Sequence, residues 1–88
     1  MTTKSPSAVQ EFSPDTLEKI AYESVSDIPT EEPNDRNRLA FHIWRWLATK
    51  KGTLEESVAE SGARLLVQRQ EALKTIREAL AKHNIASG

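Results

Sequence analysis

Apolar positions become periodic from Phe12 onward. Leu17, Ile20, Ala21 and Val25 recur at i, i+3, i+4 and i+8, one stripe of a helix. Ser13-Pro14 opens it well. The serine hydroxyl can accept from a free amide, proline suits the first position, and Asp15 faces the positive helix end. Phe12 and Leu17 have the spacing of a hydrophobic staple, so a short helix is expected over 14–25. Between 26 and 33, two prolines and several turn formers leave Ile28 as the one large apolar side chain, which reads as a linker.

Asn34 is the expected cap of a second helix over 34–50, with Asp35 in its first turn. Leu39, Ala40, Phe41, Ile43, Trp44, Trp46, Leu47 and Ala48 cover roughly two-thirds of its circumference, more than one neighbour can bury. This helix must be the centre of a bundle, or part of its surface meets another chain. Trp44 and Trp46 point about 160° apart, so they cannot share one small core. Trp46, beside Ile43 and Leu47, belongs inside; Trp44 with Phe41 is the candidate exposed aromatic anchor.

Lys50-Lys51-Gly52 suits a helix stop, and Thr53-Leu54-Glu55-Glu56 matches a capping box, so an antiparallel hairpin is expected there. Beyond it, Leu54, Val58, Leu65, Ala72, Ile76, Ala79 and Leu80 stay on one arc, and Ser61 and Gly62 fall on that arc too. The unbroken phase predicts a single third helix over 54–83, about 45 Å long, with Ser61-Gly62 as a small-residue notch. Ala59, Gly62, Leu66, Arg69, Leu73, Ile76 and Leu80 step by three and four like a coiled-coil seam, which places Arg69 between Leu66 and Leu73 as a register-setting interface residue. Asn84, flanked by Leu80 and Ile85, has the pattern of a helix stop with asparagine in the left-handed position. The expected fold is all-α: the hairpin with the short N-terminal helix across it, a three-helix bundle or a dimeric bundle. Residues 13–85 form its single domain, between a flexible tail over 1–12 and a short one over 86–88.

Charge changes this picture more than composition does. The 88 residues sum to −1, but the chain through Asp35 carries −6 and the rest +5. An acidic arm can fold back on a basic body, or the basic body can meet an anionic partner. Arg38, His42, Arg45 and Thr49 share the polar strip of the second helix, and Lys50 and Lys51 extend it, a candidate set of phosphate contacts. Against nucleic acid stand the sequence pI of about 6.1 and the interleaved Glu55, Glu56 and Glu60.

The absence of cysteine excludes disulfides, thiolate nucleophiles and cysteine-ligated metals. The two histidines, His42 and His83, belong to distant parts of the hairpin, and no His-x-x-x-His or Glu-x-x-His spacing occurs, so no metal or cofactor is expected. No serine, threonine or lysine stands at helical spacing from an evident base, and no Gly-rich phosphate loop exists, which argues against an enzyme. No apolar run reaches the roughly 20 residues of a membrane span, and no secretory signal follows Met1-Thr2-Thr3-Lys4, so a cytoplasmic protein is expected. The resulting expectation is a small non-catalytic interaction or regulatory module. It associates with itself or another protein through Phe41, Trp44 and Arg69; the alternative is a nucleic-acid-associated regulator using Arg38, Arg45, Lys50 and Lys51.

Overall fold

The computed structural model describes residues 12–86. Four helices follow in order, α1 (Pro14–Val25), α2 (Pro33–Thr49), α3 (Leu54–Ser61) and α4 (Arg69–Ala81), packed as a helical bundle. The expected tails lie outside the described residues except for Phe12 and Ala86. No helix among the described residues is long and apolar enough to cross a membrane.

The N-terminal signals act as their chemistry requires. The Thr16 amide donates to Ser13 Oγ at 3.2 Å, Pro14 takes the first helical position, and Phe12 packs on the core with Leu17. At the other turn, the Glu56 amide donates to Thr53 Oγ1 (3.1 Å) while the Thr53 amide donates to Glu56 Oε1 (3.0 Å), closing a capping box. Lys50 (φ 59°) and Gly52 (φ 75°) both take left-handed conformations in that connection. The indole N–H of Trp46 donates to the Gly52 carbonyl at 3.1 Å, and the Lys50 ammonium sits 4.9 Å from the Trp46 ring centroid.

α2 is central. α1 packs on one side of it and α3 on the other, while α4 packs on α1 and, less closely, on α3. Leu39, Ala40, Ile43 and Leu47 of α2 are fully buried in one core with Ile20, Ala21 and Val25 of α1, Leu54 and Val58 of α3, and Leu73, Ile76 and Leu80 of α4. An ion pair of Arg77 with Glu55 ties α4 to α3, and His83 Nε2 lies 3.5 Å from Glu23 Oε1 across α4 and α1. The Glu55 carboxyl, which accepts from its own backbone amide and from Arg77, is held below its ordinary range. α4 ends as the Asn84 pattern requires: Asn84 is left-handed (φ 61°), the Ile85 amide donates to the Leu80 carbonyl at 3.1 Å, and both Leu80 and Ile85 are buried.

The expected single helix over 54–83 is two helices. α3 stops at Ser61, Gly62 is left-handed (φ 66°), and 62–68 runs as a loop. That loop pairs with the linker before α2: Thr30 and Leu65 form an antiparallel bridge, the Glu31 amide donates to the Arg64 carbonyl (2.9 Å), and the Leu66 amide donates to the Pro29 carbonyl (3.0 Å). The Ser61 hydroxyl donates to the Val58 carbonyl (2.6 Å) and accepts from the Ala63 amide (3.2 Å), so the serine ends the helix instead of notching it. The loop spans seven residues, nearly two turns of 3.6, so the apolar phase of α4 matches that of α3 although the backbone between them is not helical.

The cap of α2 lies two residues before Asn34. Glu32 is the N-cap, Pro33 the first helical residue, and Asp35 the third, whose carboxylate reaches back to accept from the Glu32 amide at 3.0 Å.

Candidate functional site

Asp35 does more than cap. Its side chain is fully buried, accepts from the Arg64 amide (3.3 Å), from Arg64 Nε (3.3 Å) and from Arg38 Nη2, and forms an ion pair with Arg64 Nη2 at 3.1 Å. Burial by itself raises this carboxyl's pKa and is the largest single influence. Hydrogen bonds from the Arg64 side chain and backbone and from the Glu32 amide, with the Arg64 charge, outweigh it and hold the group down to about 2. The same contacts raise the Arg64 guanidinium, chiefly through the Asp35 hydrogen bond. One carboxylate thus fixes the start of α2, the loop after α3 and two arginines.

This settles where Arg38 goes. Its Nε donates to the Ser61 carbonyl (3.2 Å) and its Nη2 to the Gly62 carbonyl (3.3 Å) as well as to Asp35. Its guanidinium closes the end of α3, so of the strip proposed for phosphates Arg38 is committed within the fold. His42, Arg45 and Lys51 do come together. They line a cleft of about 250 Å³ between α2 and α3, with Trp46, Thr49, Ser57 and Glu60. Thr49 Oγ1 donates to the Arg45 carbonyl (2.9 Å) and accepts from the Lys51 amide (3.3 Å), which holds the turn that carries Lys51. Lys50 lies over the Trp46 ring instead. Among the described residues, none of Arg45, Lys50 and Lys51 has an acidic group in ion-pair range.

The aromatic anchors sit on a different face of α2. Phe41 is 44% exposed, and its ring meets Trp44 edge-on at 5.8 Å and His42 at 5.7 Å. Trp44 is half-buried: its indole N–H donates to the Pro14 carbonyl at 3.2 Å, so the start of α1 covers part of it. Trp46 is buried. Asn34, Asn37, Phe41, Trp44 and Ala48 recur at steps of three and four along the outer surface of α2, all of them exposed except half-buried Trp44 and none of them charged.

Arg69 is not in a seam. It is the exposed first residue of α4, behind a loop in which Leu66 is 61% exposed, because the helix that would have carried the seam is broken. It follows the loop that docks at Asp35, whereas Trp44 meets the far end of α1.

Asp35, Arg64, Ser57 and Glu60 were not singled out from the sequence. An acid three residues after a Glu-Pro start is a capping-box signal for Asp35, but nothing local pairs it with Arg64, 29 positions on. Comparison with protein-family models, with curated proteins and with solved structures returns no match for this chain.

Proposed function

We propose that this protein is a non-catalytic helical interaction module that pairs α2 with a helix of another chain, and that its first partner is a second copy of itself. The observation that carries this reading is the uncharged stripe of Asn34, Asn37, Phe41, Trp44 and Ala48, about 21 Å long, with the Phe41 ring open at its middle. In a two-fold interface a patch meets itself, so a charge near the axis confronts its own copy; a charge-free stripe at heptad spacing avoids that penalty. A single helix pair buries area at the low end of specific interfaces, so association in the micromolar range is expected.

Sedimentation equilibrium tests the reading. The wild-type chain should dimerise as concentration rises, and Phe41→Glu, at an exposed position, should be monomeric with an unchanged helical spectrum. A wild type that stays monomeric throughout, or a Phe41→Glu dimer of equal strength, overturns self-pairing through α2.

A second reading, contact with nucleic-acid phosphates, is favoured by Arg45, Lys50 and Lys51, which have no acidic group in ion-pair range among the described residues. Three neutralised phosphates give a log–log salt slope of roughly −3. A salt-insensitive complex abolished by Trp44→Ala would exclude it.

A further inference from the structure

The cleft between α2 and α3 has a composition that the pairing surface does not use. His42, Arg45 and Thr49 are one stripe of α2 whose centre is about 100° around the helix from that of the uncharged one, with Arg45 on its near edge about 40° from Phe41, and Trp46 is the buried residue beside them. The 50–53 connection closes one end and contributes Lys51, and α3 supplies Ser57 and, one turn further on, Glu60. Arg45 and Lys51 have no acid in range among the described residues.

Ser57 is the sharper observation. It is only 9% exposed, lines the cleft, and its hydroxyl makes no hydrogen bond to the described residues. The other two buried serines behave differently: Ser24 donates to the Ala21 carbonyl at 2.7 Å and Ser61 to the Val58 carbonyl at 2.6 Å. Buried hydroxyls are normally satisfied, and a buried one with no partner among the described residues, in one cleft with two cations that have no acid in range there, suits a ligand oxygen.

From this geometry we infer that the cleft is a binding site for a small phosphomonoester that also carries an amine. Arg45 and Lys51 take the phosphoryl oxygens, the fork of the guanidinium giving orientation and the ammonium adding charge. Ser57 donates to the same group. Glu60, the one acid in the lining, then has a role that a bare polyanion would not give it, since it receives the ligand's ammonium. A volume of about 250 Å³ fits a ligand of that size and not a folded polymer segment. This inference is independent of α2 pairing, because none of the stripe residues lines the cleft.

Titration of the isotopically labelled full chain with O-phosphoethanolamine and, separately, with inorganic phosphate tests it, read from amide shifts. The expected result is saturable shifts confined to the α2–α3 cleft, with O-phosphoethanolamine bound more tightly than phosphate. Arg45→Gln, at an exposed position, should weaken both by roughly tenfold, as expected for loss of one charge-assisted contact. Glu60→Gln should leave phosphate binding intact or strengthened and erase the preference for the amine ester. Ser57→Ala should weaken both ligands while Ser24→Ala, outside the cleft, should weaken neither. Shifts scattered over the surface, binding indifferent to Arg45→Gln, or a single-stranded oligonucleotide that binds here while O-phosphoethanolamine does not, would each overturn the proposal.

Discussion

Gly62→Ala separates a broken helix from a continuous one by the sign of its effect. Gly62 ends α3 with φ 66° and ψ 13°, its amide donating to the Ala59 carbonyl at 3.3 Å. A Cβ built there meets nothing within 4 Å, so the substitution introduces no clash. What remains is the intrinsic cost of an L-residue in the left-handed region, about 1–2 kcal/mol, because Cβ crowds the following carbonyl. Alanine also narrows the unfolded ensemble, which returns part of that cost, so a net loss of about 1 kcal/mol is expected. In a continuous helix the same change would stabilise by about 0.5–1 kcal/mol, since glycine is the poorer helix residue. At this chain length, 1 kcal/mol moves the midpoint by about 4–8 °C. Thermal melting followed at a helical wavelength, with urea unfolding to check that the m-value is unchanged, reads the difference directly. A Tm below that of the wild type is the expected outcome, with Gly62→Asn intermediate because asparagine tolerates this conformation better. A Tm above the wild type would refute the break at Gly62 and the docking of 62–68 with it.

Acid stability should turn on Asp35. Its folded-state carboxyl lies at about 2 against an ordinary 3.8, so its stabilisation is complete above about 3.8 and is lost as pH falls from there toward 2. Denaturant midpoints taken across that window should fall steeply in the wild type, whereas Asp35→Asn should start less stable and change less; parallel profiles would mean the carboxylate does not hold the loop. Arg69→Leu should leave the solution mass unchanged and stability equal or a few tenths of a kcal/mol higher, since it removes a cation from the positive end of α4. A change of oligomeric state in that variant would restore Arg69 to the interface.

Local chemistry made much of the fold legible. Ser13-Pro14, Thr53 with Glu56, and Asn84 between Leu80 and Ile85 are each complete within six residues of sequence, and each forms as its hydrogen-bonding needs dictate. The break after Ser61 was not legible for a specific reason. A seven-residue loop preserves helical phase, and the contacts that hold it open come from Pro29, Glu31 and Asp35, some thirty positions earlier. Arg69 was misplaced by the same coincidence. On α2 the division between Trp46 inside and Phe41 outside followed from direction alone, since the two lie on different sides of one helix. The α2 side of the cleft, His42 and Arg45, followed from helical spacing, and Lys51 from the turn after α2; Ser57 and Glu60 did not, because their place opposite it depends on how α3 docks. Arg38 looked like a member of the same strip because spacing shows which side chains are neighbours and not which carbonyls need donors.

The proposed self-pairing sets α2 of one copy against α2 of the other. Isotope-filtered nuclear Overhauser spectra on an equal mixture of labelled and unlabelled chains, above the association midpoint, test it most directly. Cross-peaks should join the Phe41 and Trp44 rings of one copy to the Ala48 methyl or the Asn37 side chain of the other. Contacts arising instead from Tyr22 or Leu66, the other exposed large hydrophobic side chains, or no contacts between copies at all, would contradict it.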